Sequence, residues 1–94
     1  MEITFDPDKD AANVAKHALS LALARDLEWD TLQWKEDTRR NYGETRMAGY
    51  AFMGERLYGV VYVVRVDVLR VISLRKANQR EVKSYVENAI KFQS

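Results

Sequence analysis

The sequence predicts an α+β fold, a compact antiparallel sheet with helices packed on one face. Two observations carry this. Three runs rich in β-branched, aromatic and aliphatic residues (45–53, 56–64 and 68–74) follow one another with only short turn signals between them. Stretches with helix-start chemistry and apolar periodicity bracket them, one opening at Asp6 and one at Asn78. Strands in succession with helices set apart from them point to α+β rather than to alternating βαβ units. At 94 residues the chain reads as one domain, 1–94. A chain of this size buries roughly 60–65% of its unfolded surface, which leaves no room for a second core.

Residues 2–5 form a short strand with Ile3 and Phe5 on one side. Asp6 then caps a helix, and Pro7 suits its first position, where a missing N–H costs nothing. Asp8 and Asp10 favour the positive end of the helix dipole, and Lys16 and His17 the negative end. Ala11, Val14, Ala15 and Ala18 give that helix its apolar stripe. Ser20 caps a second short helix over 21–27, although the helix formers here also allow one longer helix. Residues 29–35 alternate as a short edge strand, and 36–44 form a polar loop with Asn41-Tyr42-Gly43 as its turn. The strand 45–53 puts Arg46, Ala48, Tyr50 and Phe52 on one face. Gly54-Glu55 is a two-residue hairpin turn with glycine first, which suits type II′. The strand 56–64 turns through 65–67 into 68–74, completing a meander. Asn78 and Glu81 form a reciprocal capping box for a closing helix over 81–92, with Val82, Tyr85, Val86, Ala89 and Ile90 as its stripe.

Composition excludes several classes of function. With no cysteine there is no disulfide framework, thiolate nucleophile or cysteine zinc site. The stretch MEITFDPDKD is acidic and does not read as a signal peptide, and no apolar run approaches the roughly 20 residues of a membrane span. A cytoplasmic protein is therefore expected. The net charge of +1 hides an asymmetry: residues 1–38 hold four Lys/Arg against nine Asp/Glu, and 39–94 hold eleven against five. The basic part suits a nucleic-acid backbone, and it also suits an ordinary solvated surface.

Strand parity sorts the candidate site residues. Ser73 and Arg75 share one face of the last strand, and Glu44 and Arg46 share a face of another. Neighbouring strands could join them into a site of two guanidiniums, a carboxylate and a hydroxyl. Arginine meets phosphate through a planar fork of donors and keeps its charge at every relevant pH. RNA cleavage by the 2′-hydroxyl needs a base, a proton for the leaving 5′-oxygen, and positive charge on the phosphorane. The same residues also fit a cross-strand salt-bridge set on a solvated face. His17 suits proton transfer near neutrality, and equally a helix-end contact with terminal carbonyls. Lys16 and Lys76 could each contact phosphate as a point charge and equally suit free surface lysines, while Arg70 and Arg80 add charge near Arg75 where an anionic partner would be held. No metal-ligand cluster, phosphate loop or catalytic triad stands out, so neither a metal nor a cofactor is expected.

Three stretches resemble the BrnT family of toxins. FDPDKDAANVAKH (5–17) is similar to its opening motif, DTRRNYGETRMAGY (37–50) to its middle segment, and 70–85 to its R-I-I-S-A-R-x-A-xx-E-R-xx-Y signature. They lie in the family's order. Ala18 stands where a glycine usually follows the K-H pair, and Leu74 where a small residue usually follows the serine. The resemblance implies a RelE-like fold and a metal-independent ribonuclease toxin of a bacterial type II toxin–antitoxin system. For that activity the catalytic candidates are Glu44, Arg46, Arg75 and His17, and the RNA-binding candidates Lys16, Arg70, Ser73, Lys76 and Arg80. The resemblance further implies a BrnA-type ribbon-helix-helix antitoxin that neutralises the toxin, with operator DNA reached only through that antitoxin. A catalytically degenerate RNA- or antitoxin-binding module of the same fold is the competing expectation.

Overall fold

A computed structural model describes residues 1–93. Its elements are β1 (Glu2–Thr4), α1 (Pro7–His17), a 3-10 helix (Leu21–Asp26), β2 (Glu28–Asp37), β3 (Arg46–Met53), β4 (Arg56–Arg65), β5 (Val68–Lys76) and α2 (Gln79–Gln93). The strands form one sheet in the order β1-β5-β4-β3-β2. The α+β class stands, and two details differ from the sequence-based expectation. The sheet is mixed, because β1 pairs parallel to β5. The helices also divide between its two faces. Leu21, Ala24 and Leu27 pack with Ala51, Tyr58, Val60, Tyr62, Val71 and Leu74 in the core. That face is already filled, and α2 lies instead against Tyr50 and Phe52, which alternate with Ala51 on β3.

The helix starts follow their side chains. The backbone N–H of Asp8 donates to Asp6, and that of Ala22 to the Ser20 hydroxyl. Asn78 and Glu81 exchange both bonds of a capping box at 2.9 Å each. Of the two residues in the β3–β4 turn, only Gly54 has a positive φ, +64°, as type II′ requires. The β4–β5 turn is less comfortable, since the β-branched Val66 sits at φ +43°.

The apolar stripes of both long helices are turned from where periodicity put them. On α1 the buried residue is Asn13, while Ala11, Val14, Ala15 and Ala18 are exposed. On α2, Tyr85 and Ala89 turn inward, while Val82, Val86 and Ile90 face solvent. Among the described residues no helix is long and apolar enough to cross a membrane.

Ala18 ends α1 in the left-handed conformation at φ 58°, its N–H donating to the Val14 carbonyl at 2.8 Å. The junction keeps the geometry a glycine would favour. Ala18→Gly is therefore expected to stabilise the fold by about 0.5–1 kcal/mol, since an alanine pays for a positive φ that glycine adopts freely. Thermal denaturation should show a rise of roughly 3–6 °C; an unchanged or lower midpoint would contradict the assignment.

Candidate active site

The face of the sheet opposite the core carries the basic residues, and a bulge in β5 puts them there. The β4–β5 ladder pairs Gly59 with Arg75, Val61 with Ser73, and Val63 with Arg70, with a register shift between Val61 and Tyr62. The residues paired with 59, 61 and 63 share one face. Arg70, Ser73 and Arg75 therefore stand together, although parity along an unbroken strand would send Arg70 to the other side. Bulges often re-aim side chains in this way beside functional sites. Leu69, Val71 and Leu74 are left to the core.

Cross-strand registers arrange this face in rows. One row holds Arg75, Gly59, Tyr50 and Gln33. The next holds Ser73, Val61, Ala48 and Lys35. A third holds Arg70 and Val63, and continues the β3–β4 register by one residue to Arg46, which faces Asp37. Arg70 and Arg46 thus stand two strands apart, about 10 Å between backbones. Two guanidiniums can converge over that distance. Glu44 falls a further row away, where it accepts from Arg65 Nη2 at 2.6 Å. Successive rows are about 7 Å apart, so Glu44 is about 20 Å from Arg75 along the strands. The structure sets Arg46, Arg70, Ser73 and Arg75 on one face, with the Arg46–Arg70 row two rows, about 14 Å, from Arg75 and Glu44 one row beyond it.

Each arginine is held differently. Arg46 places its guanidinium carbon 4.0 Å from the centroid of the Tyr42 ring, and its buried Nε has no hydrogen-bond partner. Buried donors are seldom left so. Asp37 beside it is taken by Arg39, whose Nε and Nη2 donate at 2.9 Å, and these bonds hold its carboxyl well below the usual range. Arg70 Nη2 lies 3.6 Å from the Asp6 carboxylate at the start of α1. Arg75 lies over Gly59, where a Cβ would come within 3.3 Å of both Arg75 Cζ and Tyr50 Cε1. Its Nη1 and Nη2 each donate to Glu81 at 2.7 Å, and the Tyr50 hydroxyl donates to the same carboxylate. The fork from Arg75 brings the Glu81 carboxyl down to about 2 and drives the Arg75 guanidinium above its ordinary value. Burial first, then the hydrogen bond to Glu81, pushes the Tyr50 phenol up.

The remaining candidates flank this face. Asn13 of α1 is bonded to the Leu74 backbone, and His17, half-buried, is one turn further along α1. Lys16 and Lys76 are exposed, and Lys76 is paired with Tyr58, on the core side of the ladder. Arg80 is exposed on the first turn of α2. Of the two tryptophans, Trp29 packs edge-on against Tyr62 and donates to the Ala24 carbonyl, while Trp34 is exposed. Sequence reasoning did not bring Tyr50, Gly59 and Glu81 together with Arg75. The capping box drew attention to Glu81, but only the register shows that its carboxylate meets Arg75 and Tyr50. Among the described residues no group of three or more His, Asp or Glu is placed to hold a metal.

A family model described as the ribonuclease toxin BrnT of type II toxin–antitoxin systems matches residues 5–81. The chain belongs to the BrnT family. No curated protein sequence gives a significant match. The BrnT match spans Arg46, Arg70, Ser73 and Arg75 and ends on Glu81, so every residue of the clustered face lies within it. Membership makes RNA the target class and an antitoxin the protein partner.

Proposed function

We propose that this BrnT chain acts as one domain, a metal-independent endoribonuclease whose reacting phosphate sits on the face formed by Arg46, Arg70, Ser73 and Arg75. The observation that carries this is the β5 bulge, which sets Arg70, Ser73 and Arg75 on one face with Arg46 two strands away. The RNA 2′-hydroxyl attacks its own phosphate, and the 5′-oxygen leaves. The arginines supply the positive charge that the phosphorane requires. His17, the only histidine, is the group suited to move a proton near neutrality. Lys16, Lys76 and Arg80 contact neighbouring phosphates. Glu44, two residues from Arg46 and paired to Arg65, is the carboxylate available as a base beside the Arg46–Arg70 row. The toxin works in the cytoplasm and is held inactive by a BrnA-type ribbon-helix-helix antitoxin, through which alone it reaches operator DNA.

Incubating purified protein with naked RNA, with and without EDTA, tests the reading. Cleavage should persist in EDTA and leave 2′,3′-cyclic phosphate ends. Cleavage abolished by EDTA and restored by magnesium would refute metal independence. A second reading, a binding module without cleavage, is favoured by the Arg75–Glu81 pair, which engages both terminal nitrogens of the guanidinium. Growth arrest on expression separates the two.

A further inference from the structure

The end of β5 and the first turn of α2 surround one carboxylate with donors. Glu81 Oε1 accepts from Arg75 Nη1 at 2.7 Å and from the Asn78 backbone N–H at 2.9 Å. Its Oε2 accepts from Arg75 Nη2 at 2.7 Å and from the Tyr50 hydroxyl. A guanidinium fork, a phenol and a backbone N–H at a helix start are also the donors that recognise a phosphodiester oxyanion. Arg75 on β5 and Tyr50 on β3 flank Gly59 of the intervening β4, so their positions are set by the sheet. Glu81, by contrast, reaches in on a flexible side chain from a helix whose Val82, Val86 and Ile90 face solvent. The carboxylate can swing out at the loss of one cap contact, the Tyr50 hydrogen bond and an ion pair whose arginine is partly exposed to solvent. Two anions cannot share one guanidinium without repulsion, so phosphate and Glu81 exclude each other there.

We infer that Arg75 and Tyr50 form a phosphate seat on which Glu81 rests as an internal stand-in, displaced when a nucleic-acid phosphate arrives. The inference rests on the proposed function. It makes Tyr50 a substrate-binding residue and Glu81 a competitor for Arg75.

The test uses a mixed-sequence 2′-O-methyl RNA oligonucleotide, which carries the phosphates but lacks the attacking hydroxyl, so binding is read apart from cleavage. Glu81→Gln removes the charge and keeps a side chain able to complete the capping box. It should bind the oligonucleotide about five- to tenfold more tightly than the parent. In an Arg75→Ala background the same change should gain less than about twofold, because the seat is gone. Equal or weaker binding by Glu81→Gln, or a gain that persists without Arg75, overturns the inference. A measurement on the parent protein guards against a variant that does not fold. The carbon-13 resonance of the Glu81 carboxyl should move as the oligonucleotide saturates the protein, and an unmoved resonance overturns the inference equally. If no variant cleaves RNA yet the Arg75-dependent gain appears, the seat stands and the ribonuclease reading falls. If the parent cleaves RNA but Glu81→Gln gains nothing, the seat alone falls.

Discussion

Replacing Arg75 with alanine is expected to lower RNA cleavage by a factor on the order of 10²–10³, by analogy with the loss of one oxyanion donor. The cost to folding should be small. The Arg75–Glu81 pair has ideal bidentate geometry, but the arginine side chain is 39% exposed, so the pair contributes about 1 kcal/mol. Arg56 is the control. It is also a strand arginine, but it flanks the Gly54–Glu55 turn in an exposed position. Arg56→Ala should change stability by no more than about 0.5 kcal/mol and leave cleavage near the parent rate. Circular dichroism establishes that both variants fold; cleavage of naked RNA and growth arrest on expression then separate them by two orders of magnitude or more. An Arg75→Ala protein as toxic as the parent would place the chemistry elsewhere on this face, with the Arg46–Arg70 row the next to test.

What the sequence could and could not show divides along physical lines. Local signals were reliable where a side chain bonds its own neighbourhood. Asp6, Ser20 and the Asn78–Glu81 box each start a helix where expected. The meander and its glycine-first turn follow from hydrophobic runs and turn chemistry. The candidate site was readable only in part, because strand parity assumes an unbroken pleat. The shift beside Val61 and Tyr62 moves Arg70 onto the face of Ser73 and Arg75, and no residue in 68–76 announces it. The placing of Glu44 shows a related limit. Glu44 shares parity with Arg46, but parity gives the face and not the distance along it, and the register sets Glu44 beside Arg65. The helix stripes misled because α1 and α2 are not held chiefly by apolar faces. Tyr85 holds α2 by donating to the Thr31 carbonyl, while its own carbonyl accepts from Gln33. The polar series Asp6, Asp10, Asn13 and His17, spaced four, three and four apart, was the available sign that α1 turns a polar stripe inward.

The largest stability effect is expected from Asn13, for reasons that lie in the sheet's edge. β1 covers β5 only from Val68 to Arg70, and beyond that point β5 has no strand neighbour on this side. Leu74 lies in the uncovered part and is fully buried, so its backbone groups cannot turn to water. Asn13, 4% exposed, takes the place of the missing strand. Its Nδ2 donates to the Leu74 carbonyl at 2.9 Å and its Oδ1 accepts from the Leu74 N–H at 3.1 Å. The same Nδ2 donates to the Leu19 carbonyl at 2.8 Å, tying in the junction after α1. Asn13→Ala leaves a donor and an acceptor of Leu74 buried without partners, each worth about 1–3 kcal/mol, so the expected loss is about 3 kcal/mol. For a domain of this size the thermal midpoint should fall by roughly 10–20 °C. Asn13→Asp keeps an acceptor for the Leu74 N–H but sets a carboxylate against two carbonyl oxygens, and should do no better than alanine. The loss should also reach the candidate site, because α1 carries His17 and touches β5 directly before Arg75. Amide exchange supplies the decisive reading: protection at Leu74 should drop further than at Val60, its partner on β4. A variant that melts within a few degrees of the parent with Leu74 still protected would mean that the edge of β5 is closed by something other than this side chain.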